Sequence, residues 1–374
     1  MHRKIRSVIT LILSTNVLLI GSYILGGVFF PLFQDQNETL PFRIEAQLNI
    51  DDQAQVPKGS DCKTIRECGT QGDEIAYALF DPSSESPWRN AYEELKTFDG
   101  LEDEEGYDTH EDLALSTNYE RGIEDHETED EEDETLLAKY QINGDQIQLR
   151  ENQGLNEEEK LLAEELWDYF TSIIPTPWRK QLKNYYIHHG GDDAGYIDAS
   201  RGVGTFLNPD HYNIFGIDLE NIGYEEPFST LTLLHEFAHL FSLDKKHYGN
   251  SFACRSEMSY DCHTPWSYLQ HFAYQFWRKV DKDWIQNTDR SPKEILTFYQ
   301  LNQSAFINNY AASNPDEDFA ESFTAFIITP RDQLNPDNPI DQKQLFFYQY
   351  PELVGLRFQI LNNLYTIWTD QTDY

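Results

Sequence analysis

The sequence predicts an α+β domain in which short strands come first and helices follow. Strand patterns occupy residues 137–218, and from Pro227 to the C-terminus the apolar spacing is mainly helical. Aromatic residues make up 14% of the 374 residues, which is enough apolar surface for a sizeable core and excludes a wholly disordered chain.

The first 33 residues are expected to be a targeting segment outside the fold. A basic cluster within the first six residues precedes Val8–Phe33, which has no ionisable side chain except the Tyr23 phenol. A helix of this length is about 39 Å long and exceeds the roughly 30 Å hydrocarbon layer. We therefore predict a signal anchor in the cell membrane, with a cytoplasmic N-terminus and an extracellular remainder. The alternative is secretion after signal cleavage, although the run lacks an A-x-A-like cleavage site.

Residues 34–134 are expected to form an extracytoplasmic stalk that is acidic and largely disordered. Several prolines break up residues 34–98. Asp99–Glu134 contains 18 acidic residues and one basic residue, Arg121, and such charge density opposes collapse. This stretch could instead bind cations or a basic partner, but no calcium-loop pattern occurs in it. The net charge of −37 excludes nucleic acid as a partner, because phosphates would be repelled.

The four cysteines fall into two close pairs, Cys62 with Cys68 in the stalk and Cys254 with Cys262 further on. An extracellular location is oxidising, so each pair is expected to form a short disulfide. A structural zinc site built from all four cysteines is the alternative. The spacings C-x5-C and C-x7-C are poor zinc-knuckle spacings and argue against it.

The folded domain is predicted to span residues 135–374, and its first half combines a hairpin, a capped helix and two strands. Asn143-Gly144 is a favoured two-residue turn, and Asn156 before three glutamates is a typical helix start. The predicted elements are a hairpin of Leu137–Ile142 and Asp145–Leu149, a helix from Asn156 that ends at Pro175, and strands at Tyr185–His188 and Asn213–Asp218.

One apolar helix contains two histidines and a glutamate. Leu231–Phe241 is apolar all round, so burying these polar groups there costs free energy unless a partner satisfies them. His235 and His239 are four residues apart and leave the same face, which is the geometry for holding one metal ion. Glu236 would lie beside that ion and reach a metal-bound water. Chance alone would produce about 0.03 such H-E-x-x-H patterns in this chain, which argues against coincidence.

A third ligand has to come from another segment, because catalytic zinc sites generally use three protein ligands. Lys245 occupies the position of the third histidine in the extended H-E-x-x-H-x-x-G-x-x-H pattern. Asn314 and Pro315 predict the start of a second helix, in which Glu317 and Glu321 share one face. Glu317 is the favoured ligand and Glu321 the runner-up. Alternatively, Glu317 only closes a capping box with Asn314.

The sequence His235-Glu236-x-x-His239, followed by a glutamate on a second helix, resembles the gluzincin zinc metallopeptidases. The segment Tyr310-x6-Glu317-x-Phe319-Ala320-Glu321-x-Phe323 is similar to the lethal-factor-like branch of zinc-binding metallopeptidases. The resemblance covers about residues 156–374. It implies a zincin-like fold, with a small mixed sheet whose edge strand lies over the H-E-x-x-H helix.

By this resemblance, Glu317 is the third zinc ligand and Glu321 holds a ligand histidine. Tyr310 would stabilise the oxyanion, and Glu236 would be the general base in the hydrolysis of a peptide or protein substrate. One Zn²⁺ per chain is implied, although manganese or cobalt could substitute. Asn213–Asp218 is a candidate edge strand for an extended substrate. The alternative function is a catalytically silent cell-surface binding protein that keeps its zinc, but no catalytic position is substituted.

Overall fold

The computed structural model describes residues 62–98, 135–190, 194–198, 214–222, 226–242, 267–281 and 290–372. All of them belong to one unit, Leu48–Tyr374. The expected anchor Val8–Phe33, the acidic stretch Asp99–Glu134 and the pair Cys254 and Cys262 lie outside the described residues. No helix within the described ranges is long and apolar enough to cross a membrane.

Helices and one small sheet make up the described part, which confirms the α+β class. The strands are β1 (Thr135–Asn143), β2 (Gln146–Asn152), β3 (Asn184–His189), β4 (Gly195–Asp198) and β5 (Ile214–Asp218). The helices are α1 (Ile65–Phe80), α2 (Ala91–Thr97), α3 (Glu157–Ile173), α4 (Thr176–Arg179), α5 (Glu226–Ser242), α6 (Tyr268–Val280), α7 (Pro292–Asn302), α8 (Pro315–Ile328), α9 (Pro339–Phe347) and α10 (Pro351–Thr372). Short 3-10 turns lie at Gln303–Ala305, Tyr310–Ala312 and Arg331–Gln333.

The sheet is mixed, with the strand order β2-β1-β3-β5-β4. β1 pairs antiparallel with β2 and β3, β3 runs parallel to β5, and β4 pairs antiparallel with β5. The hairpin is present as predicted, but its two turn residues are Gly144 and Asp145, because Asn143 still pairs with Gln146. Gly144 has a φ of 68°, which glycine adopts at little cost because it has no Cβ.

Among the described strands, β4 forms one edge of the sheet, and the sequence analysis did not predict this strand. β5 lies between β3 and β4, so the expectation that Asn213–Asp218 forms an edge is wrong. All five residues of β5 are buried. β4 is four residues long and begins with Gly195, so it lacks the apolar alternation that identifies a strand in a sequence.

Helix α3 packs against one face of the sheet through aromatic side chains. The ring centroid of Trp167 lies 5.3 Å from that of Tyr185 on β3, and the centroid of Phe170 lies 4.7 Å from that of Phe215 on β5. Asn156 begins α3 with the predicted capping box. Helix α5 also contacts β4, which brings it to the edge of the sheet.

Residues 62–98 are folded onto the same core as the residues after 135. Trp88 is fully buried, and its indole Nε1–H donates to Thr230 Oγ1 on α5 at 2.9 Å. Asp73 on α1 accepts a hydrogen bond from the buried Arg357 guanidinium on α10 at 2.9 Å. The predicted disulfide between Cys62 and Cys68 packs against α10. The expectation of a largely disordered stalk over 34–134 is therefore wrong for residues 62–98.

The composition of α1 explains why its helix was not predicted. Its buried face includes the small residues Cys68, Gly69, Gly72 and Ala76, which do not read as an apolar stripe. A Cβ added at Gly72 would lie only 3.1 Å from the Arg357 guanidinium, so the small residues allow α1 to approach α10 closely. Pro82 and Pro87 fall after α1, in the connection to α2, so they do not interrupt the helix.

Candidate metal centre

Helices α5 and α8 pack side by side through phenylalanine rings. The ring of Phe241 on α5 lies 4.8 Å from that of Phe323 and 5.7 Å from that of Phe319 on α8, centroid to centroid. Phe237, one turn earlier on α5, lies 6.0 Å from Phe323. These contacts hold the two helices together along the turn of α5 that carries both histidines. Carboxylates near the start of α8 can therefore reach the imidazoles of α5.

Asn314 determines where α8 begins, as predicted. Its Oδ1 accepts hydrogen bonds from the backbone N–H groups of Asp316 and Glu317 at 2.9 and 3.0 Å, and Pro315 is the first helical residue. Glu317 consequently lies in the first turn, and Glu321 follows one turn later on the same face. The Glu317 carboxylate is directed at the histidines of α5, which is not the orientation of a capping box.

Three side-chain atoms form a small triangle between α5 and α8. His235 Nε2 lies 3.0 Å from Glu317 Oε2, His239 Nε2 lies 3.2 Å from the same oxygen, and the two Nε2 atoms are 3.0 Å apart. Ligand atoms about 2.0 Å from a tetrahedral zinc ion are about 3.3 Å from one another. The triangle therefore has close to the size that zinc requires, and these three residues are the candidate metal ligands.

The hydrogen bonding of His235 also fits a metal ligand. Its Nδ1 lies 2.8 Å from Glu321 Oε1, and a carboxylate only accepts, so Nδ1 carries the proton. With the proton of the neutral ring on Nδ1, the Nε2 atom would present its lone pair to a metal ion at the centre of the triangle. A metal ion at this point would be held by both ring nitrogens and the carboxylate oxygen, and the donor set of two imidazoles and one carboxylate suits zinc.

The electrostatics of the buried site favour positive charge. Burial works to lower the pKa of His235, but the Glu317 and Glu321 carboxylates raise that pKa more strongly, to well above its ordinary value. The pKa of His239 is also raised, because the effect of Glu317 exceeds that of burial. Burial works to raise the pKa of Glu317, yet the two imidazoles bring it below its usual range. The same arrangement of carboxylates would stabilise a bound metal cation.

Glu236 is buried one residue after His235 and lies against the edge strand β4. A Cβ added at Gly195 would be 3.2 Å from Glu236 Cγ, so the glycine allows the strand backbone to pass close to this side chain. The edge of the sheet therefore borders the carboxylate that the sequence analysis assigned as the general base.

Tyr310 lies next to His235, in the 3-10 turn before α8. The centroids of the two rings are 5.7 Å apart. Phe98, just after α2, packs edge-on against Tyr310 with its centroid at 5.7 Å. The phenol expected to act on the substrate oxyanion is thus next to a candidate ligand and is held partly by the N-terminal helices.

The structure brings all six residues of the expected site together: His235, Glu236, His239, Tyr310, Glu317 and Glu321. Sequence reasoning missed Asn308, which bonds to Glu321, and Gly195, which borders Glu236. Asn308 directly follows the apolar pair Phe306-Ile307, and this was the only local sign that its side chain is buried.

Comparison with known proteins agrees with this geometry. A family model described as "Putative zinc-binding metallo-peptidase" matches residues 202–343. The chain is similar to a family of zinc-binding metallopeptidases. The matched range contains α5, the Tyr310 turn and α8, and therefore all six expected site residues. No curated protein and no solved structure matches the chain.

Proposed function

We propose that this protein is a zinc-dependent peptidase of gluzincin type with a zincin-like fold. The observation that carries the proposal is the largely buried triangle of His235 Nε2, His239 Nε2 and Glu317 Oε2, with the buried Glu236 next to His235 on the same helix. The match of the metallopeptidase family model over the same residues supports it.

His235, His239 and Glu317 would hold the zinc ion. Zinc bound there would polarise the scissile carbonyl and lower the pKa of a water ligand from 15.7 to about 7. Glu236 would accept the proton of the attacking water and return it to the leaving amine, which is the usual task of a buried general base. Tyr310 would donate a hydrogen bond to the carbonyl oxygen as negative charge develops on it.

The edge strand β4 is the proposed docking element for the substrate. Among the described strands only β5 pairs with β4, so the other side of β4 would offer backbone N–H and C=O groups to an extended peptide. A peptide paired with β4 would pass close to Glu236, because Gly195 brings the strand near that carboxylate. This arrangement favours a peptide or protein substrate over a compact small molecule.

The proposed location is the outer face of the cell membrane, with Val8–Phe33 as a single-pass anchor; secretion after cleavage is the alternative. The support comes from the apolar run, the basic cluster before it and the disulfide between Cys62 and Cys68. Asp99–Glu134 is proposed as an acidic, solvated segment between two parts of the folded chain.

The substitution Glu236→Gln tests the enzymatic proposal. The full-length variant should still bind one zinc ion per chain, since Glu236 is not a proposed ligand. Its kcat should fall by about a hundredfold or more, because the general base is removed. Glu165→Gln, an exposed glutamate on α3, is the matched control and should keep full activity. Cleavage of peptides by Glu236→Gln at the wild-type rate would refute the mechanism.

The second candidate is a catalytically silent zinc-containing binding protein. It would keep the ligand triangle for folding and bind a partner at the cell surface. A wild-type protein with one zinc per chain that cleaves nothing in a broad peptide library would favour this candidate. The presence of Glu236 and Tyr310 beside the triangle favours the enzyme.

A further inference from the structure

We propose that Asn308 is a positioning residue of the metal centre: through Glu321 it fixes the orientation of His235, and it also fixes the turn that carries Tyr310. The inference rests on the proposed function in that the centre binds zinc. It concerns Asn308 and Glu321, which orient a ligand, whereas the proposed function concerns the ligands themselves.

The side-chain amide of Asn308 is fully used and buried, with 1% of the residue exposed. Its Nδ2 donates to Glu321 Oε2 at 2.7 Å and to the Leu95 carbonyl oxygen at 2.9 Å. Its Oδ1 accepts from the Ala311 N–H at 2.8 Å. A flipped amide would set oxygen against two acceptors and nitrogen against a donor, so the contacts allow only one orientation.

The same contacts restrain the carboxylate of Glu321, a residue that is only 3% exposed. Oε2 accepts from Asn308, and Oε1 accepts from His235 Nδ1 at 2.8 Å. Because each oxygen has its own donor, the carboxylate cannot rotate without losing a hydrogen bond in a buried site. The chain of bonds from Asn308 through Glu321 therefore sets the ring orientation and tautomer of His235, which a ligand imidazole requires.

The contact with Ala311 extends this role to the turn that carries Tyr310. Ala311 follows Tyr310 in the 3-10 turn Tyr310–Ala312. By accepting from the Ala311 N–H, Asn308 holds the backbone that presents the Tyr310 phenol. One amide thus restrains both a candidate ligand and the candidate oxyanion donor.

The contact with Leu95 joins the N-terminal helices to the metal centre. Leu95 lies in the last turn of α2, where backbone carbonyls have no partner within the helix. Asn308 satisfies that carbonyl, and Phe98 packs on Tyr310 nearby. Residues 62–98 therefore contribute to the shape of the site although they lie outside the matched range 202–343.

The closing experiment measures the zinc dissociation constant of the full-length protein by competition with a chelator. N308D keeps the size of the side chain and the acceptor for Ala311, but sets an oxygen against the Glu321 carboxylate. Its zinc affinity should fall by about ten- to a hundredfold, the range seen when groups behind a ligand are altered. N308A removes the donor without adding repulsion and should lose about tenfold.

Two further variants separate positioning from a general structural effect. E321Q presents an amide N–H to position 308, so the double variant N308D/E321Q restores a donor and an acceptor between the two residues. It should bind zinc more tightly than N308D alone. Asn363→Ala removes another amide, on α10, which donates to the carbonyl of Ile173 at the end of α3. This control should lower stability without changing zinc affinity.

A readout that needs no zinc keeps the inference separate from the proposed function. In ¹⁵N-histidine NMR of the metal-free protein, His235 should show a slowly exchanging Nδ1 proton that N308D loses. If wild type binds no zinc but this signal behaves as described, the positioning role stands and the peptidase proposal falls. If N308D and N308A keep both the signal and the wild-type zinc affinity, the positioning role is refuted.

Discussion

Trp88→Ala tests whether residues 62–98 are an integral part of the domain. The Trp88 side chain is fully buried in the connection between α1 and α2, and its indole donates to Thr230 on α5. Replacing a core tryptophan by alanine costs about 3–5 kcal/mol. Thr230 Oγ1 keeps its 2.6 Å hydrogen bond with the Tyr169 hydroxyl, so no additional orphaned group is created. We therefore expect a loss of about 4 kcal/mol, a large part of the 5–15 kcal/mol typical of a folded domain.

Urea unfolding of the full-length protein, followed by tryptophan fluorescence and circular dichroism, measures this loss. With a slope of about 2–3 kcal/mol per molar urea, the midpoint should fall by about 1.3–2 M. Trp88→Phe keeps most of the ring volume and should lose less. Glu74→Ala, at an exposed position of α1, should stay within about 0.5 kcal/mol of wild type. If Trp88→Ala moves the midpoint no further than Glu74→Ala, the N-terminal helices are not docked on the core.

Two further outcomes follow from the sheet. Gly195→Ala places a Cβ 3.2 Å from Glu236 Cγ and 3.3 Å from Ile217 Cδ1. Displacing the proposed general base should lower kcat about tenfold, while chelator competition should show unchanged zinc affinity. A wild-type kcat would contradict the assigned contact. Burial raises the pKa of Tyr140 from 10.0 to about 12, so the unfolded chain ionises first and the free energy of unfolding should fall between pH 10 and 12. Tyr140→Phe should reduce that loss of stability at alkaline pH. Because the buried hydroxyl has no partner among the described residues, the variant should also be more stable at pH 7, by about 1 kcal/mol. If urea unfolding shows the same fall in the free energy of unfolding between pH 10 and 12 in Tyr140→Phe, this reasoning is refuted.

Local signals in the sequence were sufficient where a cap or a turn residue determines the element. Asn156 with its glutamates begins α3, and Asn314 with Pro315 begins α8. In both cases the side chain that satisfies the first N–H groups is adjacent in sequence, so no tertiary information is needed. The turn of the β1–β2 hairpin was displaced by one residue because the strand register, which depends on pairing across the sheet, extends to Asn143.

Features that depend on distant partners could not be derived in this way. The helix α1 exists because small residues fit against Arg357 and its neighbours on α10, nearly 300 positions away. The edge position of β4 follows from its pairing with β5, and a four-residue strand beginning with Gly195 carries no periodic signal. In each case tertiary packing overrides the local pattern.

In the candidate site, too, some features follow from the local sequence and others depend on tertiary packing. The spacing of His235 and His239 on one helix face follows from helix geometry alone, and the shared face of Glu317 and Glu321 follows likewise. Which glutamate oxygen faces which imidazole depends on how α5 and α8 pack through their phenylalanines. The contact of Asn308 with Glu321 depends in addition on the turn before α8, and no spacing rule gives it.

X-ray absorption at the zinc edge of the purified full-length protein tests the central claim most directly. Two imidazole nitrogens at about 2.0–2.1 Å and oxygen at about 2.0–2.2 Å, with one zinc per chain, are the predicted first coordination shell. His239→Ala should lose this signal, because it removes one corner of the triangle. Zinc ligated by sulfur at about 2.3 Å, or full zinc loading that persists in His239→Ala, would contradict the account.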